Sequence, residues 1–340
     1  MEAEIRINEK PGKARFCGNG GTGTSNIASI GVIVNPRSHR NRHRAGYGSG
    51  LGDPSLVVRA ESRAELSAAL AAFARAEVGT VVVDGGDGTV RDVLTELPVA
   101  FGPALPALAL IPSGKTNLIA RDVGALSCKG DGVDRLRAAI AGTRQLRCTL
   151  RPALQVSGLQ TGEPTLCGML FGAAAFTRAT ALANESLHPR GIHHSAAVAL
   201  AIASFIARAT LGAERRRLMA GEPMEIGIDG EPPLRGPRFL VMVTPLERLM
   251  LGLWPFAERG HGPLHWLGLK APPNRLAGVI MHALRGKAPP WLAEAGHASG
   301  RANEVTLRLE SSFILDGEIF QPGPEGVRLT PTPPIRFLST

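Results

Sequence analysis

Aromatic residues are scarce in this chain: they make up 4% of its 340 residues, with one tyrosine and three tryptophans. So thin a supply argues against a surface that reads nucleic acid by stacking bases on aromatic rings. Cysteine is equally sparse. Cys17, Cys128, Cys148 and Cys167 lie far apart and make no Cys-x-x-Cys or Cys/His pattern of the kind that holds zinc. No secretory leader is evident, so the thiols are expected to be reduced, in a cytoplasmic protein. Long apolar runs are missing too. The longest, Ala196 to Ala207, has 12 residues, against the roughly 20 that a bilayer-spanning helix needs. Acidic charge is the last shortage: 29 Asp and Glu face 38 Lys and Arg, a formal charge of +9. That balance favours an anionic partner, such as nucleotide phosphates or an acidic membrane surface, and the lack of aromatics turns the reading away from nucleic acid.

What is present is a large apolar fraction, 44%, enough at this length to fill two domains. The most informative stretch is 81–92. Val81, Val82 and Val83 suit a strand buried on both faces of a parallel sheet. Gly85, Gly86 and Gly88 follow, around Asp87 and Thr89. Glycines let the backbone approach a ligand closely, and a helix spaced on Val90, Val93, Leu94 and Leu97 predicts a helix N-terminus just beyond. Such a strand, loop and helix start presents amide groups and a favourable dipole to phosphate. Asp87 is costly beside phosphates unless a cation lies between them, which points to Mg²⁺-nucleotide and makes Asp87 the candidate metal ligand.

Around this segment, strands and helices alternate. Strands are predicted at 30–34, 56–58, 81–83 and 107–111, and helices at 64–76, 90–97, 118–123 and 132–141. This is the pattern of an α/β domain with a mainly parallel sheet. The loops 35–44, 84–89 and 112–117 all leave the carboxyl ends of strands, where such sheets gather ligands. Residues 1–28, with their Gly-rich run, read as a flexible arm, and 29–147 as the nucleotide domain. From 148 to 330 the pattern changes to short alternating segments, including 224–228, 239–243, 305–309 and 313–315. That texture predicts a β-sandwich with helical insertions near 194–210 and 274–285. Residues 331–340 read as a tail.

With these residues in view, the chain resembles the diacylglycerol kinase catalytic family, which includes bacterial lipid kinases, sphingosine kinases and ceramide kinases, over about 28–330. The resemblance rests on Gly85-Gly86-Asp87-Gly88-Thr89, on Asn35-Pro36, on Pro112-Ser113-Gly114-Lys115-Thr116-Asn117 with Ala120-Arg121, and on the late Asp316-Gly317-Glu318. It implies an α/β nucleotide domain of the NAD kinase and diacylglycerol kinase type followed by a β-sandwich. It also implies ATP and Mg²⁺ as cofactors, with nucleotide contacts from Asn35, Arg37, Gly85 to Thr89, Ser113, Gly114, Lys115, Thr116, Asn117 and Glu318. Asp316 takes the family's general-base position and, with Asp87, forms the implied catalytic pair. The chain departs from the family at Lys115, Leu118, Ser38-His39, Asp92 and His261-Gly262.

Lys115 reads equally as a phosphate-reaching cation or a solvated side chain. Arg37, Arg40, Arg42 and Arg44 form a basic run after the first strand, facing either phosphates or anionic lipid headgroups. A second tripeptide, Asp229-Gly230-Glu231, reads as a hairpin turn. Trp254, Trp266 and Trp291 fit an acyl-chain cleft or an interfacial surface, and ordinary core packing equally well. The reading favoured is a lipid kinase peripherally bound to the inner face of the membrane, acting on diacylglycerol, ceramide or a sphingoid base. NAD kinase and a non-catalytic nucleotide or lipid sensor are the alternatives. Oligomeric state is left open, with a homodimer among the possibilities.

Overall fold

A computed structural model describes residues 29–43, 56–129, 131–160, 165–178, 219–257, 259–274, 276, 278, 279, 282 and 291–340. Cys17, the arm at 1–28, Arg44 and the predicted helix at 194–210 lie outside the described residues.

The first body is a six-stranded sheet in the order β2-β1-β3-β4-β17-β5. Its strands are β1 (Ile30–Val34), β2 (Val57–Arg59), β3 (Thr80–Gly85), β4 (Ala107–Pro112), β5 (Arg147–Arg151) and β17 (Ile335–Ser339). All neighbours are parallel except β17 and β5. Its central strands are apolar because both faces are covered. Val81 and Val83 pack with Leu66, Leu70 and Phe73 of α1 (Arg63–Arg75) and with Val93, Leu94 and Leu97 of α2 (Asp87–Phe101). Val82 turns the other way, towards Val133 and Leu136 of α4 (Gly132–Ile140). Helix α3 (Leu118–Val123) joins the first layer through Ile119. Ser62 and Glu65 form the start of α1: Ser62 Oγ accepts from the Glu65 amide, and Glu65 accepts in turn from the Glu61 amide.

Three sequence expectations are corrected here. Residues 331–340 are not a tail: β17 inserts between β4 and β5, with Phe337 and Leu338 buried. Phe337, Leu338 and Ile335 are apolar at a sheet interior, a pattern too short to separate from a tail by periodicity. The boundary at 147/148 likewise cuts through β5, which belongs wholly to the first sheet. Helix α2 also starts three residues before Val90, at Asp87, so the glycine loop feeds straight into the helix. An acid in a helix's first turn complements its dipole.

The second body is one largely antiparallel sheet of eleven strands rather than two separate sheets. Its path runs β15-β14-β8-β10-β9-β13-β16-β6-β7, with β11 and β12 branching from β10. In chain order these are β6 (Leu154–Ser157), β7 (Leu166–Gly168), β8 (Phe171–Ala174), β9 (Glu222–Ile228), β10 (Leu234–Thr244), β11 (Leu264–Lys270), β12 (His297–Ala302), β13 (Val305–Leu309), β14 (Phe313–Leu315), β15 (Glu318–Phe320) and β16 (Val327–Pro331). The long β10 divides the sheet: its first half pairs with β9, and its second half lies between β8 and β11. Leu154 on β6 and Phe313 on β14, near opposite ends of the path, share one core, so the sheet curls around it.

The bodies meet where α2 packs on β7. The Thr95 hydroxyl donates to the Arg91 carbonyl and lies 3.2 Å from the Cys167 carbonyl, while it accepts from the Cys167 amide at 3.0 Å. A second tie is ionic. Arg151 on β5 bridges Asp122 at 2.9 Å and Glu247 at 3.3 Å, and Glu247 also lies 3.5 Å from buried His265 on β11. The departure at His261-Gly262 sits beside this tie, the Gly262 carbonyl accepting from Arg301 at 2.7 Å.

Candidate active site

Strands β1, β3 and β4 are neighbours, so their carboxyl ends bring Asn35, Gly85-Gly86 and Ser113-Gly114 to one edge. Two glycines make this approach possible. A Cβ on Gly114 would lie 2.5 Å from the Gly86 Cα, which only glycine avoids, and one on Gly86 would sit tightly, 3.1 Å from the Gly114 Cα. The two loops therefore touch backbone to backbone. Asn35 ties the first strand in, its Nδ2 donating to Thr89 Oγ1 at 2.8 Å while its Oδ1 accepts from the Arg37 amide at 2.9 Å. Thr89 is buried, and a Cβ on Gly85 would strike it.

Asp87 bridges loops. Its Oδ2 accepts from the Leu118 amide and its Oδ1 from the Ile119 amide, both at 3.0 Å, so the carboxylate caps α3. Burial raises its pKa, while those amides and Arg121 pull it back. Asn117 adopts a left-handed conformation, φ 52°, and its side chain closes the turn by bonding both the amide and the carbonyl of Gly114 at 2.9 Å. Asparagine tolerates that backbone better than most residues. Lys115 and Thr116 are half-buried within this turn.

Some candidates are turned away from the loop edge. The Ser113 hydroxyl is fully buried and donates to Asp84 Oδ1, so it is not open to a ligand. Arg37 is exposed and lies 3.9 Å from Glu61. Asp84, which the sequence reading passes over, is wholly buried and also accepts from Asn41 Nδ2 at 3.0 Å. A lone acid closing an apolar strand is the signal for it.

The second body contributes Asp316 and Glu318, from the two-residue hairpin between β14 and β15. Asp316 accepts from the Met169 amide at 2.9 Å and the Leu170 amide at 2.9 Å, and its own amide donates to the Leu170 carbonyl. Gly168 leaves room for it: a Cβ there would stand 2.5 Å from Asp316 Oδ2. Burial of the carboxyl, with the like charge of Asp87 adding to it, pushes the Asp316 pKa up to about 7, against the pull of the two amides and Arg91. Asp87 and Asp316, from different bodies, thus feel each other.

Arg91 ties α2 to β15 beside this pair, and the sequence carries no sign of it. It stands one turn into α2, 4% exposed, and bridges Asp92 at 2.6 Å and Glu318 at 2.8 Å. Its guanidinium also lies over the Phe320 ring, 5.4 Å from the centroid. Glu318 reaches back across Gly88. Burial, with the like charge of Glu318 adding to it, raises the Asp92 pKa against the pull of Arg91.

Residues 29–146 match the sequence profile of the diacylglycerol kinase catalytic domain. This segment belongs to the diacylglycerol kinase catalytic family. Over 66 residues the chain is 41% identical to the probable lipid kinase YegS of Shigella flexneri, and the same holds for the Escherichia coli K12 protein. The aligned stretch spans 19% of this chain and about a fifth, 21%, of those relatives. Two solved structures extend the likeness in fold over both bodies: a putative diacylglycerol kinase from Bacillus anthracis, at 14% identity, and a diacylglycerol kinase from the same organism, also at 14%. Each covers 92% of this chain and 97% of its own, with TM-scores of 0.60 and 0.57. The glycine loop and the 112–117 turn lie inside the diacylglycerol kinase catalytic domain. Asp316 and Glu318 lie outside it, on the second body.

Proposed function

We propose that this protein transfers the γ-phosphoryl group of ATP to a hydroxyl group of a membrane lipid. The observation that carries the reading is Asp316: a carboxylate from the second body, held by two backbone amides beside the glycine loop, with a pKa near neutrality. A general base works best when its pKa is close to the working pH. Phosphoryl transfer needs positioning, charge neutralisation and a group to take the acceptor's proton. The glycine loop and the first turn of α2 supply amides for the phosphates. Asp316 takes the hydroxyl proton.

The donor set suits Mg²⁺, which favours carboxylate oxygens together with substrate phosphates. Among the described residues no three acidic, His or Cys side chains converge as a self-contained metal cage. Asp87 is the residue to hold Mg²⁺, since lone pairs remain on its oxygens beyond those taken by the Leu118 and Ile119 amides. The chemistry such an ion supplies is neutralisation of phosphate charge.

The acceptor reaches the site from a membrane surface, in line with the net positive charge. The test is incubation with labelled ATP, Mg²⁺ and a panel of diacylglycerol, ceramide, sphingosine and NAD, with lipids presented in anionic vesicles. Label in one of the lipids is expected. Transfer to NAD alone, or nucleotide binding without transfer to any acceptor, overturns the assignment.

A further inference from the structure

The second body holds a cavity of about 390 Å³ far from Asp316. It opens where the β9–β10 turn faces β11 and β12. Val243 on β10 pairs with Phe171, next to the Leu170 amide that holds Asp316. Arg238 lies five residues back along the same strand, roughly 17 Å away at the usual rise of a strand. The volume falls in the range of small-molecule sites.

Arg238 forms the cavity's charged floor. It is 6% exposed, yet no described carboxylate pairs with it. Its Nε is buried without a hydrogen-bond partner, and its Nη2 reaches only the Arg235 carbonyl, at 3.5 Å. An arginine keeps its charge in proteins, and a buried charge without a counter-charge is costly. Burial pulls its pKa down, as expected for a cation lacking one. Two more cations, Arg259 and Lys270, stand at the rim with a single acid, Glu231. The balance is two positive charges in excess. Trp266 and Leu234 give the wall an apolar side.

We propose that this cavity is a second ligand site, taking a phosphate monoester that carries an apolar group. The dianion matches the excess charge, and a guanidinium presents its donors to phosphate in a matching fork. Trp266 and Leu234 receive the apolar part. Lipid phosphates and soluble phosphate esters share this chemistry.

Titration of the purified protein with phenyl phosphate, inorganic phosphate and dihexanoyl phosphatidic acid tests it, followed by calorimetry and by tryptophan fluorescence. Phenyl phosphate is expected to bind more tightly than inorganic phosphate and to change the fluorescence, a response that Trp266→Phe reduces. Tighter binding of dihexanoyl phosphatidic acid than of phenyl phosphate marks a lipid as the source, and the reverse marks a soluble ester. Arg238→Gln is expected to weaken binding at least tenfold and Glu231→Gln to strengthen it. Should Arg238→Gln fail to fold, as circular dichroism reveals, the rim double variant Arg259→Ala/Lys270→Ala decides, with a severalfold loss expected. Wild-type protein that binds none of the three probes overturns the proposal. So does binding that survives these substitutions but is lost in Gly114→Ala, which assigns the signal to the glycine loop.

Discussion

The tripeptide Asp-Gly-Glu occurs twice, at 229–231 and at 316–318, and both copies turn a β-hairpin through the same strained backbone. Asp229 and Asp316 have φ of 47° and 49°, each followed by a glycine at positive φ. Both aspartates accept amides from a neighbouring loop: Asp229 from Asn303 and Glu304, Asp316 from Met169 and Leu170. The local chemistry is the same, and the surroundings differ. The bonds of Asp229 are made at an exposed turn. Asp316 faces inward, beside Asp87, with Arg91 near at hand, and its pKa moves to about 7. A turn motif specifies backbone shape; the packing around it sets the acidity of its carboxyl.

Substitution separates the copies most sharply. Asp316→Asn is expected to lower turnover by roughly 10²–10⁴, the usual contribution of a general base, while Asp229→Asn leaves turnover within about twofold and costs about 1 kcal/mol of stability through its hydrogen bonds. Equal losses of turnover in the labelled-ATP assay would erase the distinction. Arg91→Met comes next. It leaves Glu318 without its partner and frees the α2–β15 contact. Turnover is expected to fall at least tenfold, with roughly 1 kcal/mol of destabilisation in urea unfolding, because Glu318 is exposed and its unpaired charge stays in water. The corresponding residue of the first turn offers a control, since Glu231→Gln should leave turnover alone.

The pH profile sharpens the contrast further. The ionised form of Asp316 is the base, so activity is present above its folded pKa and lost as pH falls through it. kcat/KM should rise about tenfold per pH unit below about 7 and level off above it. Because Arg91 holds the Asp316 pKa down, Arg91→Met should move that inflection upward, and Asp229→Asn should not move it. The smallest effect is the most alike. Gly230→Ala and Gly317→Ala have open space around the new methyl but positive φ, so each should cost about 1 kcal/mol in thermal unfolding. Unequal costs would mean that the two turns differ in backbone strain after all.

The meeting of the glycine loop with the 112–117 turn was legible because its requirements are local. Gly85, Gly86 and Gly114 are glycine for a contact within two loops, and Val81–Val83 announce a doubly covered strand. Asp316 is set apart from Asp229 by the resemblance and by its apolar flanks, Phe313-Ile314-Leu315 and Ile319-Phe320, since nothing in Asp-Gly-Glu itself separates the two. Arg91 left no mark: it is an ordinary charge on a helix until α2 meets β15, a pairing fixed by contacts more than two hundred residues apart. The expectation of two sheets failed for a related reason. Strand texture gives the alternation of each segment, but the branching at β10 is a matter of which strands pair. Ser113 reads as a phosphate contact by position, yet an acid one strand away, Asp84, takes its hydroxyl.

The return of β17 to the first sheet bears on how the chain comes to be folded as it is made. On a ribosome the nucleotide half emerges first, but its sheet has a gap between β4 and β5 that is filled only after the whole second half has been synthesised. The stretch recognisable as a domain is therefore not an autonomous one. Until β17 is made, β4 and β5 lack the strand that joins them in the sheet.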